Sequence, residues 1–449
     1  MSLSIFARFT FFFLIFFVLI YFEGDYISGI KISLLWKGIV FLILILFILS
    51  FRFYKVPVFV LIGYIIAIKH LLTVGVFDYF SETAQLLVAS ITIPLIYTYL
   101  NAAVRVKRNS ATFYRKVESF LALFAISIVL SNIPFLIGIL ESKHSTVDLE
   151  AFGYEIRGLS GIFQRSHAAS SVFAVAAIYI TAFITLPTVR GKLRFIAAGL
   201  FLLACFALYK TYVRTGYLMF VVGLYFILFY GSRFSTKLRN VSLALVVMLG
   251  GFLVLKSDEA FLMRLTDQRK WEHKEGAVGN LGSGRFVIWQ IHTENWLASG
   301  PIGIVIGNGQ PLSKELYGRR TGDQRLFAHN GFIDALVSNG IVGFVLFTSY
   351  LYFMWKYIAA SLNTSYKRLA MGIFFMYVTF MVVQAGNPFF IEVILAVLIF
   401  LSRWSHLSNG SIWIPSSYSM RYLHASPCES QLVAGSITSG ISRASSRPS

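Results

Sequence analysis

Apolar runs recur along this chain at the length of a lipid bilayer, and that pattern excludes a water-soluble fold. Crossing a hydrocarbon layer of about 30 Å takes roughly 17 to 25 helical residues, and only structures that bond their own backbone groups survive there. About twelve such runs are expected, over residues 5–22, 35–50, 56–72, 84–100, 117–140, 167–187, 195–210, 213–230, 240–256, 331–355, 369–385 and 388–402. Composition agrees: 57% of residues are hydrophobic and 13% charged, with mean hydropathy +0.72. The expected fold is therefore all-α, a polytopic bundle.

A net charge of +19 would invite a nucleic-acid reading in a soluble protein, so its location matters. With both termini on the cytoplasmic side, the inner segments collect 21 basic groups against two acids, Glu118 and Glu429. The remaining 18 basic and 18 acidic groups fall outside and cancel. The short basic loops at 101–116, 188–194 and 231–239 alternate as the positive-inside bias requires. The charge thus reports orientation in a bilayer and no nucleic acid is implied. Cys205 in a span and Cys428 in the tail lie in different places and form no disulfide. The first span is followed by Tyr21-Phe22-Glu23-Gly24-Asp25, which lacks a small-x-small cleavage site, so it is kept as a helix.

Residues 1–407 are expected to form the transmembrane domain. Three segments break its rhythm of short connections: an outer stretch at 141–166, a long outer loop at 257–328, and a Ser-rich tail at 408–449 expected to be disordered on the cytoplasmic side. Within the long loop, Phe286 to Leu297 has amphipathic helical character, with Trp289 and Trp296 suited to headgroup depth. Gly282-Ser283-Gly284 and Gly300-Pro301 bracket it as turns.

Outer-side cations gather at four mouths of the bundle: Arg157 with Arg165, Lys210 with Arg214, then Arg285, then Arg319 with Arg320. Guanidinium groups grip phosphate oxygens bidentately; taken singly, each would equally serve as a helix-end anchor that snorkels to the interface. His329 closes the long loop, and Asn330 after it is a candidate N-cap for the tenth main span. The positive end of that helix favours the neutral imidazole, the form that accepts a proton from a hydroxyl. His167, His273 and His292 are weaker candidates.

Metal-ligand spacing is lacking, so no metal or other cofactor is implied. Gly303-Ile304-Val305-Ile306-Gly307-Asn308-Gly309 lacks the Gly-Lys-Ser/Thr ending of a phosphate-binding loop. Mid-span ionisable groups are almost lacking, Asp334 and Glu392 lying near helix ends, which disfavours an ion-coupled pump.

Four pieces then carry a resemblance. Arg157-Gly158-Leu159-Ser160-Gly161-Ile162-Phe163 leads into a span with small residues; Arg214-Thr215-Gly216-Tyr217-Leu218 sits at a hairpin; Gly284-Arg285-Phe286-Val287-Ile288-Trp289 opens a helix; and His329-Asn330-Gly331-Phe332 precedes Asn339-Gly340-Ile341-Val342-Gly343, which looks like a Gly-Leu-x-Gly helix. In this order, over about residues 150–400, the chain resembles the O-antigen ligase and polysaccharide polymerase family of bacterial envelopes. One departure is the stretch Lys210 to Val213, where a Ser-Arg pair is expected.

The resemblance implies a metal-independent, GT-C-like transferase in the inner membrane, with its active site on the periplasmic face. Its partners would be the bilayer, a glycan on undecaprenyl pyrophosphate, an acceptor glycan and a chain-length regulator. His329 would activate the acceptor hydroxyl, and the arginines, with Lys210 and Asn330, would hold the donor and its leaving pyrophosphate. A polymerase of O-antigen or exopolysaccharide is favoured over a ligase acting on lipid A core, because a phosphate-rich core would call for excess positive charge outside and the outer charges cancel. From another class, the alternative is a lipid-linked saccharide flippase or other transporter.

Overall fold

The computed structural model describes residues 18–22, 24–27, 30–49, 56–71, 80–106, 110–142, 158–185, 191–230, 285–321, 328–361, 364–384 and 388–404. Expectations that fall elsewhere, notably the ninth span at 240–256, most of the first, the tail at 408–449 and Arg157, lie outside the described residues.

A two-stranded antiparallel ribbon comes first, β1 (Tyr26–Ile27) with β2 (Ile30–Lys31). The ribbon is a four-residue exception to an otherwise helical chain, as the all-α expectation has it; β-branched and aromatic residues flank Ser28-Gly29, a turn-type dipeptide. Helices follow: α1 (Ile32–Leu49), α2 (Val58–Leu71), α3 (Phe80–Val106), α4 (Ser110–Ser131), α5 (Ile133–Leu136), α6 (Ser166–Thr185), α7 (Lys192–Lys210), α8 (Arg214–Phe229), α9 (Arg285–Leu297), α10 (Gly300–Ile306), α11 (Gln310–Thr321), α12 (Gly331–Ala359), α13 (Thr364–Val383) and α14 (Phe389–Trp404). Among the described residues, six helices are long and apolar enough to cross a membrane and three shorter ones are strongly apolar. The fifth expected span, 117–140, stops sooner. Pro134 cannot continue the ladder, and the Asn132 side chain turns back to donate to the Ile128 carbonyl at 2.6 Å.

Burial sorts the helices. α14 is covered on all sides from Ile394 to Leu401, and α6 from Ala169 to Ile180, as befits helices apolar all round. α7 instead turns Leu193, Phe195 and Leu202 outward while burying Ala197, Ala204 and Ala207. Lipid tails are as apolar as leucine, so exclusion from solvent cannot draw such helices together; close approach at small residues does. At Gly223 of α8, a Cβ would meet Met376 Sδ at 2.5 Å and Ile178 at 2.7 Å, which fixes how near α13 and α6 can come. Phe226 and Phe375 stack at 4.4 Å one turn away.

Gly216 lies against Ser170 and Gly223 against Ile178, so α6 and α8 run parallel and begin at the same end of the bundle. Leu159 N–H donates to the Lys210 carbonyl at 2.8 Å there, and Phe163 meets Phe390 at the start of α14, ring centroids 6.1 Å apart. The beginning of α14 in turn borders a cavity that the beginning of α12 also lines. That end of the bundle holds the candidate site.

Candidate active site around the His329 turn

Three short helices, α9, α10 and α11, pack together and onto the first half of α12. They fall between residues 285 and 321, inside the stretch where a long outer loop is expected, and α9 occupies nearly the residues that its amphipathic pattern marked. α10 presents Ile302 (77% exposed), Val305 and Ile306 outward, an apolar face on a seven-residue helix. Its carboxyl end is knitted into α12, which is broken at Gly340 (φ 66°, ψ −172°) where an unbroken helix was expected. Any Cβ at Gly340 would lie 2.4 Å from the Val305 carbonyl oxygen, so glycine is required for that approach. Gly309 N–H donates to the Ser338 carbonyl at 2.8 Å, and Lys69 of α2 donates to the Ile306 carbonyl at 2.9 Å and to Asn339 Oδ1 at 3.0 Å. Carbonyls freed by the break thus find donors.

The His329 turn is pinned from both sides. Asn330 caps α12, its Oδ1 accepting from Phe332 N–H at 2.9 Å and Ile333 N–H at 3.1 Å, as its sequence position predicts. Asp334 Oδ1 accepts from Ala328 N–H at 3.0 Å. From α9, Trp289 donates its indole N–H to the Ala328 carbonyl at 2.6 Å. His329 itself sits at φ 52°, a left-handed conformation that few non-glycine residues adopt and that several bonds here hold in place.

Arg285 stands one helical turn before Trp289, on the same face of α9. Its guanidinium donates to the Val383 carbonyl at the end of α13 and acts on the half-buried imidazole of His329. Burial first, and the Arg285 charge second, hold the His329 pKa below the ordinary 6.5, so the ring is neutral at physiological pH.

Other candidate cations are placed as follows. Arg165 is exposed just before α6. Lys210 ends α7 with its ammonium over the Phe206 and Tyr209 rings, and Arg214 opens α8 after Tyr212, which has φ 53°. These groups share the end of the bundle that holds the His329 turn. Arg319 pairs with Glu315, and Arg320 with Glu294 of α9 and with Asn295. Hydrogen bonds from Gln290 and then Arg320 hold the Glu294 carboxyl below its usual range. Those two arginines therefore meet carboxylates on the α9–α11 surface. His292 is buried and stacked on Tyr317 at 4.9 Å, a packing role, and His167 is half-buried near the start of α6. Three contributions escaped the sequence reading: the Trp289 bond to the His329 turn, the Lys69 tie to α10 and α12, and the burial of Glu392.

Residues 198–348 match the family model described as O-antigen ligase. The match covers about a third of the chain and supports its resemblance to the O-antigen ligase and polymerase family. The O-antigen ligase domain so defined contains the Arg214 hairpin, α9 to α11, the His329 turn and the break at Gly340. It implies a glycosyl-transfer enzyme of the membrane that takes a lipid-linked glycan and an acceptor glycan. No curated protein matches the chain.

Proposed function

We propose that this chain polymerises undecaprenyl-pyrophosphate-linked repeat units into O-antigen or exopolysaccharide at the periplasmic face of the inner membrane. The observation that carries the reading is the fixed turn at His329, neutral and half-buried beside Arg285. His329 accepts the proton of an acceptor sugar hydroxyl as that oxygen attacks the anomeric carbon of the donor. The bond from that carbon to the pyrophosphate breaks, and its electron pair leaves on the lipid carrier. Arg285, with Arg157, Arg165, Lys210 and Arg214, takes up the charge that builds on the departing phosphate; cations already in place lower that barrier. A base neutral near physiological pH suits the deprotonation of an alcohol. The imidazolium then releases its proton to water.

Purified protein in lipid, given the pyrophosphate-linked repeat unit, should lengthen chains and release the carrier. His329→Ala and Arg285→Ala should each abolish both while the protein stays folded. Retained turnover in folded variants overturns the mechanism. Transfer to lipid A core without chain growth makes the enzyme a ligase.

A further inference from the structure

Just before α6, the stretch Leu159 to Phe163 is held by the ends of three helices. Leu159 N–H donates to the Lys210 carbonyl at 2.8 Å, one of the carbonyls that the end of α7 leaves without a helical partner. Gly161 N–H donates to Ser142 Oγ at 3.1 Å, and Ile162 N–H donates to Asn132 Oδ1, beyond the end of α4, also at 3.1 Å. The Phe163 ring meets Phe390 at the start of α14. Two residues on, the Arg165 carbonyl accepts from Ala169 N–H at 3.1 Å as α6 opens.

Asn132 is fully buried, and both ends of its amide are committed: Nδ2 donates to the Ile128 carbonyl at 2.6 Å while Oδ1 takes Ile162 N–H. The fit requires glycine opposite, because Gly161 has φ 56° and a Cβ there would lie 1.7 Å from Asn132 Oδ1. Truncating the amide would leave Ile162 N–H buried without its acceptor. What the stretch carries is charge. Arg165 follows it, Lys210 is bonded to its first residue, and Arg214 opens α8. A Cβ on Gly216 of α8 would lie 2.6 Å from Ser170 Cβ of α6, so those two helices begin side by side. Two positive helix ends and three cations thus share one frame, and Asn132 fastens that frame to α4.

We propose that Asn132 is a positioning residue for the donor's pyrophosphate: being fully buried it touches no substrate, and it sets where Arg165, Lys210 and Arg214 stand relative to one another. The inference rests on the transferase reading above, which gives those cations to the donor, and adds the buried side chain through which they are aligned.

The probe is a prenyl pyrophosphate titrated onto the full chain in lipid nanodiscs. Asn132→Ala removes both bonds of the amide and should weaken the Kd about tenfold or more. Gly161→Ala drives a methyl against Asn132 Oδ1 and should do the same. The double variant should fall well short of the product of the two, because the Cβ of position 132 lies 3.7 Å from the added methyl, an ordinary contact. Ser142→Ala, at a half-buried position, removes one bond of the stretch and should weaken the Kd about threefold. Arg165→Ala and Arg214→Ala should weaken it as well. Misfolding lowers the number of sites and spares the affinity of those that remain, so the stoichiometry of each titration separates the two effects. A wild-type Kd in a folded Asn132→Ala, or in Ser142→Ala where the former does not fold, overturns the positioning role. So does a weakening by Asn132→Ala that neither arginine variant shares. A wild-type chain that does not bind the pyrophosphate overturns the donor reading itself, a result distinct from both.

Discussion

The indole of Trp289 and the carbonyl of Ala328, 39 residues apart in sequence, meet at 2.6 Å and set the orientation of the next residue, His329. Trp289→Phe keeps the ring and deletes the donor, leaving a buried carbonyl short of a partner at a cost of about 1–3 kcal/mol. We expect kcat to fall about tenfold or more with donor KM little changed, as for a group that positions a base. A shifted acid limb in the pH profile would separate this role from simple loss of stability.

The pH dependence follows from His329. Its pKa is depressed below 6.5, by burial and then by Arg285, so the acid limb of transfer should lie below that of an ordinary histidine. Arg285→Gln should move that acid limb upward in the residual activity, part of the way only, because burial remains. The stability sign is the same. The unfolded chain takes up the proton first, so stability declines as pH falls from 6.5 toward the folded pKa and levels off below it. A pH–rate profile and thermal melts at matched pH values read both.

Asn330→Ala removes the cap of α12 and should cost about 1 kcal/mol. Asn330→Asp keeps an oxygen for Phe332 and Ile333 N–H and should recover most of that loss, as measured by melting temperature.

Gly340→Ala forces a side chain into a left-handed position and against the Val305 carbonyl. Backbone strain alone is worth about 1–3 kcal/mol, and the contact adds to it. Lower melting temperature and loss of transfer are expected, whereas Gly199→Ala on α7, where nothing lies within 4 Å, should leave both unchanged.

Arg320→Ala should reduce turnover far less than Arg285→Ala. Its partner Glu294 is solvent-exposed, and exposed pairs contribute little. Carrier-release rates of the two variants in parallel decide the matter.

Much of the site was legible because its signals are local. A helix from Arg285 follows from an amphipathic pattern between glycine turns, and the Asn330 cap from its place before an apolar run. Arg285 and Trp289, four residues apart, must share a face once the helix is granted. What the sequence withheld is contact across distance. Lys69 reads as an ordinary helix-end lysine, and nothing near it announces that Asn339, 270 residues on, will accept its hydrogen bond. Glu392 likewise reads as a helix-end group. Its burial depends on α3 and α13 closing over the start of α14. The break at Gly340 was hidden inside an apolar stretch, since periodicity records which face is apolar and not whether a glycine leaves the helix. The pairing of Arg319 and Arg320 with glutamates was equally invisible, because charge counts alone do not say which groups meet.

The outward isoleucines of α10 give the enzyme a gauge of its surroundings. Ile302 and Ile306 are apolar and exposed, suited to hydrocarbon, while the same short helix is fastened by the Lys69 bond to Ile306, and the Gly309 that follows it by its bond to Ser338, to the helix that the His329 turn begins. Thinner bilayers would leave those side chains in the headgroup layer and pull on that segment. Turnover is therefore expected to change with the acyl-chain length of the host lipid, read as carrier release in bilayers of graded thickness.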